Sequence, residues 1–339
     1  MENRYSRQIL FTPIGRLGQE KLRNSRVLLI GCGALGASHA EALTRAGVGF
    51  LRIIDRDFVE LSNLQRQTLF SEADAAARIP KAIAAKNRLE KINSDIEIEA
   101  LVADINASNI ERFIDGIDLI IDGADNFQVR YLVNDAAVKH CKTWIYGAAV
   151  SSYGTTMTII PNQTACLRCI FEEIPPAGSS PTCDTAGVIQ PIISAVSSVQ
   201  ISEALKILTE NFDKLHGSLL QIDVWENDQR KISPSAPNPE CPACGKREFE
   251  FLKAENNANA ASLCGRNAVQ IVPMNRTEIE PKRFAEKLGS RENLTVNDYL
   301  IRFTADNLEI TLFKDARAII RGTDDVAVAR SAYAKFIGN

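Results

Sequence analysis

A glycine-rich turn near the start of the chain lies between a buried strand pattern and a helix pattern. It contains Gly31, Gly33 and Gly36 in the spacing G-x-G-x-x-G. These glycines allow a tight turn and bring the backbone close to a phosphate at the helix N-terminus. Asp55 ends the next strand pattern, where a carboxylate can accept hydrogen bonds from ribose hydroxyls. Together they predict a nucleotide site, and taken alone they fit an NAD-dependent oxidoreductase.

The segment that follows Asp55 is rich in groups that bind phosphates. It reads Asp55-Arg56-Asp57-Phe58-Val59-Glu60-Leu61-Ser62-Asn63-Leu64-Gln65-Arg66-Gln67. Arginine presents a planar fork to phosphate oxygens, and asparagine can position a phosphoryl or acyl oxygen. Lys81 follows Pro80 at the start of the next helix pattern, a placement suited to a triphosphate. Nucleotidyl transfer needs such groups, whereas hydride transfer does not.

Two acidic residues lie at and just after the end of a later apolar strand pattern, IDLIID at 117–122. These residues are Asp122 and Asp125, and Asn126 comes directly after them. Because ligands of parallel sheets bind at the carboxyl ends of the strands, we expect both carboxylates near the nucleotide. Either one is able to hold Mg²⁺ on the phosphates.

Four of the eight cysteines form two C-x-x-C pairs, Cys166 with Cys169 and Cys241 with Cys244. Four thiolates in two pairs suit a closed, tetrahedral structural zinc site. The alternatives are a redox pair or plain buried thiols, and neither explains why both pairs occur. Three of the other four cysteines, Cys32, Cys141 and Cys264, are expected to be small buried hydrophobic residues.

Cys183 differs from the others because it lies in a loop rich in proline, glycine and serine, from Pro175 to about Gly187. No second cysteine is near it in sequence. An exposed thiol in such a loop can attack an acyl-adenylate or receive sulfur. We therefore include Cys183 among the candidate catalytic residues.

Strand and helix patterns alternate through the first half of the chain. Strands are expected at 26–31, 49–55, 96–102, 117–122 and 143–149, and helices at 80–93, 107–115 and 126–139. This alternation predicts an α/β fold with a Rossmann-like, doubly wound, mostly parallel sheet. A strand outside the parallel set, a helix at 191–210, a strand at 219–225 and a polar linker at 226–246 follow. We expect an adenylation domain at 1–250 and a small α+β appendage at 251–339.

Composition limits the classes of partner. The 339 residues carry a formal net charge of -3, which gives no electrostatic reason to expect nucleic acid or an anionic membrane surface. No apolar run approaches the ~18–20 residues of a membrane span, and the first ten residues lack the apolar segment of a signal peptide. These features predict a cytoplasmic protein.

The order of these motifs resembles the MoeB/ThiF family, the bacterial relatives of ubiquitin-activating enzymes. The elements that carry the resemblance are RYSRQ at 4–8, the glycine loop, D-x-D-x-V-x-x-S-N-L-x-R-Q at 55–67, P-K at 80–81 and D-G-A-D-N at 122–126. The similarity covers about residues 1–250. It implies an enzyme that binds ATP and Mg²⁺ and adenylates the terminal glycine of a ubiquitin-like sulfur carrier protein.

The resemblance also implies roles for single residues. Gly31, Gly33, Gly36 and Asp55 would bind the nucleotide. Asn63, Arg66 and Lys81 would hold the phosphates and Asp125 the Mg²⁺, with Asp57, Gln67 and Asn126 in the same site. Arg7, from RYSRQ, would reach into the neighbouring subunit, which implies a homodimer with a composite active site. The four paired cysteines would bind Zn²⁺, and Cys183 corresponds to the cysteine that some members conjugate to the carrier.

Several alternatives stay open from the sequence. The carrier is either ThiS-like, for the thiazole of thiamine, or MoaD-like, for molybdopterin, and a cysteine desulfurase is a candidate further partner. A related member would activate another carboxylate, on a peptide or a tRNA nucleoside, although the charge gives little support for tRNA. An NAD-dependent oxidoreductase is the alternative from another class.

Overall fold

The computed structural model describes residues 2–175, 182–233, 236–253, 260–263, 267–273, 278–289 and 292–338. The chain divides into two compact units. The first comprises residues 1–175 and 186–256, and the second comprises residues 176–185 and 257–339. Each unit contains its own β-sheet.

The first unit is built on an eight-stranded sheet. In chain order its strands are β1 (Arg26–Ile30), β2 (Phe50–Asp55), β3 (Glu97–Val102), β4 (Leu119–Asp122), β5 (Thr143–Val150), β6 (Tyr153–Ile159), β7 (Leu219–Asp223) and β8 (Asp228–Ile232). They lie in the order β3-β2-β1-β4-β5-β6-β7-β8. The pairs from β3 to β5 are parallel, and β6, β7 and β8 extend the sheet antiparallel. The predicted Rossmann-like fold class is confirmed.

Helices cover both faces of this sheet. They are α1 (Glu2–Ile9), α2 (Gly15–Asn24), α3 (Ala34–Ala46), α4 (Glu72–Ala76), α5 (Lys81–Ile92), α6 (Ile110–Ile114), α7 (Phe127–Lys139), α8 (Leu167–Ile170) and α10 (Gln190–Leu208). Between α8 and α10, α9 (Cys183–Ala186) crosses the chain division at residue 185. The helices and strands predicted for this part of the chain are present.

Strand β1 is buried on both faces of the sheet, which explains its unbroken apolar sequence. Val27 and Leu29 belong to a core cluster with α3, α5 and the end of α10. Leu28 and Ile30 belong to the cluster on the opposite face, with α6 and α7. A strand that is covered on both faces has no position left for a polar side chain.

The connections place a crevice beside the carboxyl end of β1. From β1 the chain proceeds through β2 to β3 on one side, and β4 then returns to the other side of β1. Strand order reverses between β1 and β4, which is where sheets of this kind bind ligands. Gly31 follows β1, Asp55 ends β2 and Asp122 ends β4, so the predicted polar groups converge on this edge.

The expectation of a polar linker at 226–246 is wrong in part, because the segment begins with β8. This strand pairs antiparallel with β7 from Asp228 to Ile232 and has the sheet edge on its other side. Four of its five residues are exposed. An edge strand with little burial lacks the alternating apolar pattern that reveals a strand in a sequence.

The expectation that no apolar run approaches a membrane span was also too strict. By length and composition alone, α10 is long and apolar enough to cross a membrane, and it is the single such helix in the described part of the chain. Half of its most apolar window is buried inside the protein, and it contains Gln200 and Glu203, both almost fully buried. The apolar character of α10 is that of a core helix, and the cytoplasmic location stays a prediction.

The second unit is a small α+β structure. Its strands are β9 (Ala260–Leu263), β10 (Ala268–Ile271), β11 (Glu292–Val296), β12 (Leu300–Ala305), β13 (Leu308–Phe313) and β14 (Ala318–Arg321), and its helices are α11 (Pro281–Leu288) and α12 (Val326–Phe336). The strands form an antiparallel sheet in the order β11-β12-β13-β14-β10-β9. One sheet face and both helices share an apolar core around Phe303 and Tyr333.

Candidate active site

The glycine loop leaves space for a ligand at only one of its three glycines. Gly31 has a φ of +83°, and a Cβ there would lie 2.6 Å from the carbonyl oxygen of Gly123. A Cβ on Gly36 would lie 2.0 Å from the carbonyl oxygen of Gly31. At Gly33, by contrast, the nearest atom to a Cβ is Nε2 of Gln67, at 3.9 Å. Gly31 and Gly36 therefore serve close backbone packing, whereas Gly33 borders open space beside the N-terminus of α3.

Asp55 connects the glycine loop to the segment at 55–67, which is rich in groups that bind phosphates. Its Oδ2 accepts a hydrogen bond from the backbone N–H of Cys32 at 2.6 Å, and its Oδ1 accepts one from the N–H of Asp57 at 2.7 Å. Burial raises the pKa of the Asp55 carboxyl, and the ammonium of Lys81 opposes that rise. Each carboxylate oxygen has two lone pairs, so these bonds leave acceptor capacity for a ribose hydroxyl.

Lys81 is brought to the same place by a short bridge between two loops. The N–H of Val59 donates to the carbonyl of Ile79, and the N–H of Lys81 donates to the carbonyl of Asp57. The side chain of Lys81 is buried, with Nζ 3.5 Å from Oδ2 of Asp57. A buried ammonium at the first position of α5 is suited to binding an anion, and the triphosphate contact of Lys81 stays a prediction.

Asn63, Arg66 and Gln67 lie on one turn of chain that begins with a 3-10 helix at 61–63. Asn63 is buried, and its Oδ1 accepts from the N–H of Glu60 at 3.1 Å. Nη1 of the half-buried Arg66 donates to the carbonyl of Ser62 at 2.9 Å. Gln67 is buried, and its Oε1 has no hydrogen-bond partner among the described residues. A buried amide oxygen without a partner costs free energy, and near Gly33 it is suited to a ligand.

Asp125 lies on the loop that follows β4, and its carboxylate is exposed. Its Oδ1 accepts a hydrogen bond from Nδ2 of Asn126 at 3.0 Å. Asn126 is the N-cap of α7, since its Oδ1 accepts from the N–H of Val129 at 2.9 Å. An exposed carboxylate is a donor that Mg²⁺ prefers.

Asp122, the other acid considered for Mg²⁺, is engaged in the core. It is 1% exposed, and its Oδ2 lies 3.0 Å from Nε of Arg130. Its Oδ1 accepts from the N–H of Ala124 at 2.8 Å. Sequence reasoning missed Arg130, whose only signal is an arginine in the first half of the helix that follows D-G-A-D-N.

Arg7 is exposed on α1 while its neighbours attach that helix to the first unit. The hydroxyl of Tyr5 accepts from Nδ2 of Asn93 at 2.8 Å, and Nε2 of Gln8 donates to the carbonyl of Ala46 at 2.9 Å. Within the described residues the side chain of Arg7 makes no hydrogen bond or ion pair. The helix is therefore fixed, and its Arg7 side chain is directed to solvent.

The four paired cysteines come together as predicted. The Sγ atoms of Cys166, Cys169, Cys241 and Cys244 all lie within 4.8 Å of one another. The separations are 3.8 Å between Cys166 and Cys169, 3.6 Å between Cys166 and Cys241, and 3.3 Å between Cys169 and Cys244. Four sulfurs at ~2.3 Å from a tetrahedral Zn²⁺ are ~3.8 Å apart, so the cluster fits zinc.

The cysteine cluster joins two distant parts of the first unit. Cys166 is the N-cap of α8 and Cys169 lies within that helix. The first helical residue, Leu167, donates its N–H to Oδ1 of Asn134 on α7. On the second pair, the N–H of Gly245 donates to the carbonyl of Cys241 at 3.0 Å. A metal here therefore connects the α7 side of the sheet to the segment after β8.

The other cysteines give a mixed outcome. Cys32 is buried as expected, and burial raises its pKa. Cys141 was predicted to be buried, but it is exposed, because it lies in the turn after α7 with a φ of +52°. Cys264 lies outside the described residues. Cys183 begins α9 and is half-buried, rather than lying in an exposed loop; residues 176–181 of the predicted loop lie outside the described residues.

The fold and the site define a Rossmann-like nucleotide-binding unit with a four-cysteine cluster. The chain belongs to the ThiF family, since the ThiF family model matches residues 5–243. The predicted resemblance to this family is confirmed. The match to the family model ends at residue 243, close to residue 250, where the resemblance was expected to end.

Relatives and a solved structure agree with this family. The chain is 46% identical over 340 residues to the sulfur carrier protein ThiS adenylyltransferase of Bacillus subtilis, covering 100% of both chains. It is 36% identical over 251 residues to the SAMP-activating enzyme E1 of Haloferax volcanii, covering 74% of this chain and 92% of that protein. The crystal structure of E. coli MccB with MccA-N7isoASN has a TM-score of 0.63 and 25% identity, over 72% and 75% of the two chains.

Proposed function

We propose that this protein is an ATP-dependent adenylyltransferase that activates the C-terminal glycine carboxylate of a ThiS-like sulfur carrier protein. The observation that carries the proposal is the match to a ThiS adenylyltransferase over the whole length of both chains. That match includes the second unit, which the ThiF family model does not reach. It favours the thiamine pathway over molybdopterin.

ATP occupies the crevice at the carboxyl ends of β1, β2 and β4. Its phosphates lie over Gly33 and the N-terminus of α3, its ribose hydroxyls reach Asp55, and Lys81 and Arg66 neutralise the phosphate charge. Three features of the crevice support this arrangement: the hydrogen bond of Asp55 with Cys32, the ion pair of Lys81 with Asp57, and the position of Gln67 beside Gly33.

The reaction needs little covalent help from the protein. A carboxylate oxygen of the carrier forms a bond to the α-phosphorus of ATP, while the bond from that phosphorus to the bridging oxygen breaks and pyrophosphate leaves. A carboxylate is already a nucleophile, so no general base is required. Positioning by Asn63 and charge neutralisation by Lys81 and Arg66 supply the rate enhancement.

Two metals complete the proposal. Asp125 holds Mg²⁺, which when bound neutralises charge on the ATP phosphates. The residues present fit it, because Asp125 is an exposed carboxylate one residue from the Gly123–Ala124 turn that contacts the glycine loop. The four-cysteine cluster binds Zn²⁺, with a structural role because all four ligands are protein thiolates.

The enzyme acts as a homodimer in which Arg7 reaches the phosphate site of its partner. Support comes from α1, which is attached through Tyr5 and Gln8 while Arg7 is exposed. Cys183 acts after adenylation, in transfer of sulfur to the carrier, and a cysteine desulfurase is the candidate donor of that sulfur. We assign adenylation to residues 1–250.

The test is ATP–pyrophosphate exchange with a ThiS-like and a MoaD-like carrier side by side. We expect exchange that depends on the ThiS-like carrier and disappears when its terminal glycine is removed. Exchange with the MoaD-like carrier alone would change the assigned pathway. Absence of exchange with both, together with binding of NAD, would replace the proposal by an oxidoreductase.

A further inference from the structure

A buried ion pair lies directly behind the loop that carries Asp125. Asp122 ends β4 and is 1% exposed, and Arg130 on α7 is 6% exposed. Nε of Arg130 donates to Oδ2 of Asp122 at 3.0 Å. The guanidinium also lies 5.6 Å and 5.4 Å from the ring centroids of Phe127 and Tyr146. A charge buried this deeply is retained when its hydrogen bonds are satisfied.

The pair connects three segments through backbone atoms. Nη2 of Arg130 donates to the carbonyl of Ala124 at 2.7 Å and to the carbonyl of Gly147 at 2.9 Å. Oδ1 of Asp122 accepts from the N–H of Ala124 at 2.8 Å, and Oδ2 lies 3.3 Å from the N–H of Gly147. Both the N–H and the carbonyl of Ala124 are therefore held, one residue before Asp125.

The same loop is pressed against the glycine loop. The N–H of Gly123 donates to the carbonyl of Ile30 at 2.8 Å. A Cβ on Gly123 would lie 2.9 Å from the carbonyl oxygen of Gly31 and 3.0 Å from the nitrogen of Gly36. A displacement of the 122–124 segment would therefore move Asp125 and disturb the phosphate-binding backbone together.

We propose that Arg130 is a positioning residue that sets the direction of the Asp125 carboxylate through Ala124. Arg130 itself touches neither metal nor nucleotide. The inference rests on the proposed function, since it takes Asp125 as the Mg²⁺ ligand. An arginine is required because one planar fork reaches a carboxylate and two carbonyls at once, whereas a lysine ammonium is a single point. Partners behind a metal ligand typically change metal affinity about 10- to 100-fold when they are mutated.

The test measures metal binding directly, with Mn²⁺ replacing Mg²⁺ and a non-hydrolysable ATP analogue bound to the full-length protein. Electron paramagnetic resonance of free Mn²⁺ gives the affinity. We expect Arg130→Lys to weaken Mn²⁺ binding about tenfold, while analogue affinity without metal and the zinc content stay as in the control. The control is Arg52→Lys, because Arg52 also joins a carboxylate (Glu99) and a backbone carbonyl (Phe113), on β2.

Two results would overturn the inference. It is overturned if Arg130→Lys binds Mn²⁺ as tightly as Arg52→Lys does. It is also overturned if metal-free analogue binding and thermal stability fall in step with Mn²⁺ binding, since the role is then structural. If Arg130→Lys does not fold, Asp122→Asn replaces it with the same readout and the same two contradicting outcomes. A wild-type protein that binds Mn²⁺ but catalyses no exchange refutes the proposed function and leaves this measurement intact.

Discussion

At the scale of single residues, the site separates groups that build the pocket from groups directed to a ligand. Gly31 and Gly36 make close backbone contacts, and Asp122 is paired with Arg130, so none of the three is directed to a ligand. Gly33 and Asp125, by contrast, face open space or solvent. The motif residues are therefore not equivalent. Substitutions at the first kind of position should disturb the packing of the pocket, and substitutions at the second kind should weaken ligand binding.

Asp125→Ala should lower carrier-dependent ATP–pyrophosphate exchange by about 100-fold or more, because it removes the metal ligand at the phosphates. Exchange assays with purified protein measure the loss. Asp213→Ala is the control, since Asp213 is an exposed carboxylate paired with the exposed Lys214. An Asp125→Ala protein that exchanges at the wild-type rate would show that the metal lies elsewhere.

Cys183→Ala should leave the exchange rate within about twofold of wild type, since the nucleophile of the first step is the carrier carboxylate. Only formation of a covalent enzyme–carrier adduct, followed on non-reducing gels, should disappear. Cys141→Ala removes a different thiol, which is exposed, and should retain the adduct. If exchange collapses in Cys183→Ala, the thiol belongs to adenylation or to the structure.

At the scale of elements, the four-cysteine cluster joins α8 to the segment after β8. Cys244→Ser should reduce the zinc content, measured by atomic absorption, from about one ion per chain toward zero. The midpoint of thermal unfolding should fall with it, because structural zinc contributes folding free energy. Cys32→Ser is the control, because Cys32 is a buried cysteine outside the cluster, and this variant should keep the zinc content of the wild type. Full zinc in Cys244→Ser would remove this ligand assignment.

Helix α1 carries Arg7, which allows a test of whether each active site contains residues from both subunits. Arg7→Ala and Asp125→Ala should each be inactive alone. After mixing and subunit exchange, half of the dimers are mixed and carry one intact site, so about a quarter of wild-type activity should return. Recovery of activity is measured by carrier-dependent exchange. No recovery, with subunit exchange shown by native mass spectrometry, would mean that Arg7 serves its own subunit.

The sequence predicts elements well where burial imposes a period and poorly where it does not. Strand β1 and helix α3 are evident from apolar runs and the glycine spacing, and α3 ends at Gly47, which has a φ of +82°. Strand β8 was missed because an exposed edge strand has no apolar period. The Asp122–Arg130 pair was missed because it forms only when β4, α7 and β5 are assembled.

At the scale of the whole molecule, buried polar contacts tie the nucleotide helix to the core helix. Nε2 of His39 on α3 lies 2.9 Å from Oε1 of Gln200 on α10. Nε2 of Gln200 donates to the carbonyl of Asp122 at 3.2 Å. The glycine-loop helix, α10 and the end of β4 are therefore one connected group in the core of the first unit.

The burial of His39 makes stability depend on pH, although its hydrogen bond with Gln200 opposes the lowering of its pKa. Burial lowers the pKa of His39 from 6.5 to about 4, so the folded protein keeps His39 neutral while the unfolded chain protonates it. The contribution of neutral His39 to stability is complete above pH ~6.5 and is lost as the pH drops toward ~4, by about 3 kcal/mol at 1.36 kcal/mol per unit. Urea unfolding at pH 7.5 and pH 5 should show a smaller loss for His39→Gln than for wild type. Equal losses would assign the effect to other groups.

The central claim is that the product of this enzyme is a carrier protein bearing AMP on its terminal glycine. Intact-mass spectrometry of a ThiS-like carrier, after incubation with the enzyme, ATP and Mg²⁺ in the presence of pyrophosphatase, tests it most directly. We expect a mass increase of one AMP that maps to the C-terminal glycine and is absent without ATP. An unmodified carrier, or AMP on any other residue, would contradict adenylation of the terminal glycine.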